Sequence, residues 1–360
     1  NDADDVRLGS ALVDKIYRGD TLVWERSSGE PQPSILRLAV SNAGGIYHAD
    51  YKLENGTFVR QANLATNPGS NTRGVAVSKN SLYMAISVSV APYVCLYKRV
   101  EGAWIRLPDL AVGDQPGGAA GVCAFSNDSS YLIVPHAVAP YLNIYQIGAG
   151  DTFTKLTFDP LATSAGNQVA YHPTMDMFVA GFSGGSPVLF KKNGTTWDKL
   201  AAPADPVSAI SYGVCFSLDG TLVAAALGNG PTVAIWNVDA TGFKERYTVP
   251  ALTDSARSVS ILAGNTHIHV GHLTSPFHYL LPIDTANKTV GAPVAGLPAL
   301  PNYCIGSEVS PDGAYLATAH YGIPFCTVFE VSGSTLTAAP RSGANPSNNG
   351  ISVAFYRTFT

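Results

Sequence analysis

Short strands repeating about every 46 residues predict an all-β protein, a seven-bladed β-propeller closed by its own chain ends and preceded by a small hairpin-like N-terminal module. Three observations carry that expectation: a repeat spacing, a fixed order of turns inside the repeat, and a composition poor in charge. The 360 residues include 35 glycines and 24 prolines, which multiply turns and disfavour long helices. Hydrophobic residues make up 46%, so collapse is well driven. Charged residues are only 13%, against about 25% in an average soluble domain. Stacked blades are covered on both faces, and their strand positions exclude charge.

The residue that closes the first apolar strand of each period is the landmark of the repeat. It is Ser78, Ser126, His172, Ser217, Leu262 and Ser310, at spacings of 48, 46, 45, 45 and 48, and one more step of 46 reaches Tyr356. A tight turn follows: Ser-Pro-Asp-Gly at 310–313, Ser-Leu-Asp-Gly at 217–220, Ser-Asn-Asp-Ser at 126–129. Asp and Gly suit a turn that needs positive φ and side-chain capping. The next connection carries Pro92, Pro140, Pro187, Pro231, Pro276 and Pro324. The third strand ends on Tyr97, Tyr145, Phe190, Trp236, Leu281 or Phe329, read as packing between neighbouring blades.

Closure is also predicted. Residues 34–66 hold the outer three strands of a blade (Ile35–Ser41, Ile46–Leu53, Phe58–Leu64), and Gly350–Thr360 holds only an inner strand. The two ends pair as a clasp and make the seventh blade. Residues 1–26 form a separate pattern, in which Val6–Asp14 matches Ile16–Trp24 at an offset of ten, with Gly9 and Gly19 at turns. Such a unit cannot bury a core alone and is expected to dock elsewhere. Residues 27–33, rich in Pro, Ser and Gly, read as a linker, and 34–360 as the propeller.

Charge and cysteine usage exclude several functions. The net charge of −4 comes with no basic run, which argues against nucleic acid and anionic membrane surfaces. Asn80 to Tyr97 is long enough to span a bilayer but for its strand alternation (Leu82, Met84, Ile86, Val88, Val90). Cys95, Cys123, Cys215, Cys304 and Cys326 form no C-x-x-C pair, so free core thiols and a reducing assembly compartment are expected.

The N-terminal segment, with Leu8-Gly9-Ser10, Lys15-Ile16-Tyr17, Gly19 and Val23-Trp24, resembles a motif at the front of many structural proteins of tailed bacteriophages. The blades resemble WD-repeat-like phage propellers, through Gly150-Asp-Thr-Phe-Thr-Lys-Leu156 and Lys191-Lys-Asn-Gly-Thr-Thr-Trp-Asp-Lys-Leu200. The resemblance implies a virion component of the tail tip, baseplate or fibres, assembled in the bacterial cytoplasm, with a head-decorating or purely architectural role as the alternative. Its partners would be other virion proteins through residues 1–33, a host receptor or glycan, and further copies in the particle. Neither nucleic acid nor membrane insertion is expected.

No enzymatic activity and no cofactor are expected. The sialidase box is incomplete, since Lys192 and Gly148 stand where its Asp belongs, and metal-dependent lactonase propellers need several convergent carboxylates where Glu308 is the one candidate. A glycan-degrading channel remains the alternative from a different class. His267, His269 and His272 are the nearest approach to a metal set, but two His on one strand face do not define a site. His136, His272 and His320 each lie ten residues past their landmark, at the end of the second strand. They and the pairs Pro92-Tyr93, Pro140-Tyr141, Pro276-Phe277 and Pro324-Phe325 are the predicted binding-face loops. The blade-to-blade loops, with Pro68, Pro116, Pro160, Pro206, Pro250, Pro301 and Pro346, are expected on the same face.

Overall fold

The computed structural model describes residues 34–157, 162–228, 231–252 and 255–359, together with backbone pairing at 7–8, 11–12, 15–18 and 21–25. The predicted linker 27–33, the turn glycines Gly9 and Gly19, and Pro160 lie outside the described residues. The chain divides into two compact units, the larger being Leu36–Thr358. In the N-terminal segment, Arg7–Leu8 pairs antiparallel with Ala11–Leu12, and Lys15–Arg18 with Thr21–Glu25.

The rest is a seven-bladed β-propeller. Six sheets have four antiparallel strands in chain order, with innermost strands at Thr72–Val77, Ala124–Phe125, Gly166–Tyr171, Ser211–Phe216, Ala256–Ile261 and Cys304–Val309. The seventh sheet holds Gly350–Phe359 innermost, then Ser34–Asn42, His48–Glu54 and Thr57–Arg60. The clasp therefore forms as the terminal half-patterns predict. A fifth strand, Arg341–Ser342, was not foreseen. It pairs parallel with the outer edge, Arg341 opposite Phe58 and Ser342 opposite Val59.

The landmark serines explain themselves. Each Oγ accepts the N–H five residues on (Tyr83, Tyr131, Leu222, Tyr315, at 2.9–3.0 Å) and donates to the turn Asn or Asp two residues on. One hydroxyl thus satisfies a strand-end donor and fixes the turn. Three residues past the landmark the backbone is left-handed, at Ser81, Ser129, Gly220, Asn265 and Gly313. In the third blade His172 takes the serine's place. Its Nδ1 accepts from the Thr174 and Met175 N–H groups, and its Nε2 lies 3.0 Å from the Gly220 carbonyl of the next blade.

The core is divided seven ways. Each of seven apolar clusters sits between two neighbouring blades, including the first and the seventh. The bulky ends of the third strands fill these interfaces: Tyr51, Tyr97, Tyr145, Phe190, Trp236, Leu281 and Phe329 are all buried. Such large, fully desolvated side chains account for much of the hydrophobic stabilisation. The five cysteines are free, and burial pushes the Cys95 and Cys326 thiols up to about 11.

Candidate functional site

The turns after the second strands and the blade-to-blade loops lie side by side. In six blades a residue just past the second strand donates its N–H to the blade-to-blade loop: Ala43 to Asn349, Ser89 to Asn71, Ala137 to Ala119, Ser183 to Ala165, Gly228 to Ile210 and Tyr321 to Tyr303. Pro92, Pro140, Pro276 and Pro324 follow cis peptide bonds, and Tyr93, Tyr141, Phe277 and Phe325 behind them have φ between 63° and 71°. The four aromatic residues are half-buried. Solvent instead meets residues just before the prolines: Val90 is 55% exposed, Val138 50% and Ile323 70%. Tyr303 and Tyr321, 5.9 Å apart, continue this rim, and Phe277 stands edge-on to Tyr303.

The histidines are interior residues. His136, His272 and His320 are all fully buried and present no imidazole ring to solvent. Burial lowers the His136 imidazole and takes His320 down to about 4. His320 Nδ1 lies 2.8 Å from the Gly322 carbonyl and Nε2 2.9 Å from Thr327 Oγ1. His272 stacks on Tyr279 at 4.2 Å. His269 meets a residue that the sequence did not single out: its Nε2 is 3.2 Å from His278 Nδ1, and His278 Nε2 is 2.8 Å from the Pro298 carbonyl. The chain of bonds fixes the tautomers: His278 Nε2–H donates to Pro298, so His269 Nε2–H donates to His278. His267 is half-buried on the same strand. Among the described residues, no three His, Cys, Asp or Glu side chains gather as a metal site.

A different set of residues surrounds the mouth of the central channel. The innermost strands of five blades carry a register shift near their start, between Thr72 and Gly74, Gly166 and Gln168, Ser211 and Gly213, Ala256 and Ser258, and Cys304 and Gly306. The residue inside each shift is Arg73, Asn167, Tyr212, Arg257 or Ile305, always five before the landmark. A bulge turns its extra residue off the ladder and re-aims the side chain. Except at Gln168, the residues on either side of each shift are buried, whereas Arg73 is exposed and the other four are partly so. They therefore face the opening. Gly121 and Ile351 hold the same step in the two remaining blades. Glycine is required at 121, because a Cβ there would stand 2.0 Å from the Asn167 carbonyl oxygen.

Around the mouth the seven residues read Arg, Gly, Asn, Tyr, Arg, Ile, Ile. Arg73 Nε donates to the Ala120 carbonyl at 3.1 Å, and Asn167 Nδ2 to the Ser211 carbonyl at 3.1 Å. The Arg257 guanidinium carbon lies 3.7 Å from the centre of the Tyr212 ring, a close cation–π contact. No carboxylate occupies this step. The innermost strands carry one acid, Glu308, three residues further along. It accepts the Phe355 N–H of the neighbouring seventh blade at 2.8 Å, and burial raises its carboxyl to about 7. Elsewhere a cavity of about 200 Å³ lies by the fourth blade, beside the Arg246–Asp205 ion pair at 2.9 Å.

No protein-family model and no curated protein sequence matches this chain. Solved structures do. A propeller from Bacteroides fragilis superposes with a TM-score of 0.69 at 12% identity, covering 91% of this chain and 99% of that one. One from Bacteroides uniformis gives 0.68 at 12%, covering 90% and 100%. A Lactobacillus plantarum protein gives 0.66 at 11%, covering 89% and 99%. The shared fold is settled. Both Bacteroides proteins are called "putative 6-phosphogluconolactonase". The expectation that this chain is not an enzyme is therefore withdrawn. It rested on missing signature residues, and neighbours named for catalysis share the fold at an identity too low for signatures to persist.

Proposed function

We propose that the protein is a contact module of a virus particle, joined to other virion proteins through residues 1–33 and offering the loop-bearing face of its propeller to a partner protein or a host surface. The observation that supports this most is the exposed apolar rim at Val90, Val138 and Ile323 on turns bonded to their neighbours. Apolar side chains on fixed loops lose little entropy on association. The phage-like N-terminal motif supports the particle, and head and tail positions remain alternatives within it. Two measurements test the reading. Chains lacking residues 1–33 should fold yet fail to enter particles, and the full chain should bind host cells and block adsorption. Normal incorporation of the shortened chain, with no cell binding, would sink it.

A second reading is supported by Glu308 and by the neighbours' names. A carboxyl near neutrality at the channel edge can act as a general acid or base, here toward a sugar lactone. A glycosidase would need a second carboxylate beside it, and the innermost strands supply none. Lactone hydrolysis by the full chain, followed against the spontaneous rate and lost in Glu308→Gln, would establish this reading. A rate no faster than the uncatalysed one ends it.

A further inference from the structure

We infer that the channel mouth is a binding site for a saccharide carrying an oxyanion, a phosphate or carboxylate group drawn to the two guanidinium groups of that ring, Arg73 and Arg257. The site lies on the same face as the loop rim, two residues past the blade-to-blade loops, and it holds whether its ligand is turned over or only held.

Four observations carry it. The same bulge step places both guanidinium groups around one opening, in the first and fifth blades, with no acid at that step in any blade. Second, their charge is left uncompensated. Arg37, Arg106, Arg246 and Arg357 each pair with an aspartate, while Arg60, Arg99 and Arg341 spend their guanidinium groups on neutral oxygens and aromatic rings away from the mouth. Among the described residues neither Arg73 nor Arg257 is ion-paired, and Arg257 Nε is buried without a hydrogen-bond partner. A guanidinium in that state is a standing acceptor-seeking fork, suited to two-pronged recognition of phosphate or carboxylate. Third, the Tyr212 ring beneath Arg257 fixes the plane of that fork before any ligand arrives, which lowers the ordering cost of binding. Fourth, the rest of the ring is divided. Asn167 and Tyr212 make a polar and aromatic arc, while Ile305 and Ile351 make an apolar wall. A sugar has hydroxyl edges and C–H faces to match both, and an inorganic anion has only the charge.

The full chain should be titrated calorimetrically at low salt with glucose 6-phosphate, glucuronate, glucose, inorganic phosphate and an oligogalacturonate. The two charged monosaccharides should bind more tightly than glucose and than phosphate alone, with affinity falling as salt rises. Arg257→Met and Arg73→Met should each weaken binding about ten- to hundredfold, the usual worth of one charged hydrogen-bonded pair. Arg246→Met, outside the mouth, should leave it unchanged. Binding of the oligomer alone would still support the oxyanion and place its source on a polymer. Equal binding of inorganic phosphate and the sugar phosphates would overturn the saccharide assignment. No binding by any anion, or binding indifferent to both substitutions in proteins of unchanged melting temperature, overturns the site itself. Failure of lactone hydrolysis or of cell binding leaves these results untouched, so each reading falls separately.

Discussion

The two ends of each innermost strand follow opposite rules. At the landmark end, serine recurs in four blades because one hydroxyl must cap a buried strand N–H and a turn together. At the channel mouth, five residues earlier, the bulge recurs in five blades but its residue never settles on one type. Where packing and hydrogen bonding dictate a side chain, the repeats converge. Where the backbone alone does the positioning, the side chains are free to differ, and a face can be specialised without touching the fold.

The largest test of that contrast is inside an interface. Trp236 is fully buried between the third and fourth blades, and Trp236→Ala should cost about 3–5 kcal/mol, read as a fall in calorimetric melting temperature. A loss below about 1 kcal/mol would mean that blades do not depend on these fillers.

Glu308 sits between the two rules, since it caps a strand N–H yet borders the channel. Its carboxyl is raised from the ordinary 4.5 to about 7 by burial. The folded state therefore holds its proton more tightly than the unfolded chain, and stability from this group is full below about 4.5 and lost as pH rises to about 7. Glu308→Gln keeps an acceptor for Phe355 and removes the titration. Relative to the parent it should gain about 2 kcal/mol between pH 4.5 and 8, after allowance for solvent at the channel. Denaturant midpoints at the two pH values check it. A difference that does not change with pH would make Glu308 an ordinary ionised residue.

This division also explains what could be read from the sequence. Landmark serines, third-strand aromatics and turn residues repeat in kind, so period, blade number and clasp were legible. The bulges were not, because Arg, Asn, Tyr and Ile share no property that marks a shift of register. One trace was available: Gly74, Gly213 and Gly306 all lie four before their landmarks. A Cβ at 213 would meet the Ser258 backbone at 3.1 Å, so these glycines record close approach of neighbouring inner strands. Arg341–Ser342 was missed because two residues hold no periodicity. His136, His272 and His320 share one step of the repeat, but register says nothing of burial, and all three are fully buried.

A smaller effect is expected where the landmark serine is removed. Ser217→Ala leaves the Leu222 N–H without its acceptor and Asp219 without its donor. The cost should be about 1–2 kcal/mol, that of one buried donor left unmet. Ser217→Thr, which keeps a hydroxyl, should recover part of it, and equal losses for both would assign the effect to packing.

The smallest expected effect is the most discriminating. Arg73 is exposed, off the ladder and not ion-paired, so Arg73→Met should change stability by no more than about 0.5 kcal/mol. Its one hydrogen bond goes to the carbonyl of Ala120, a residue buried in the next blade, and removing the guanidinium that covers it must let water reach that acceptor. Melting curves of Arg73→Met and Ser217→Ala, side by side, therefore set the two ends of the innermost strand against each other. If Arg73→Met proved as costly as Ser217→Ala, the arginine would be a structural strut between blades, and the freedom of the bulge positions to vary would need another cause. A silent substitution means that the fold does not require a guanidinium there, and leaves its charge available to a ligand.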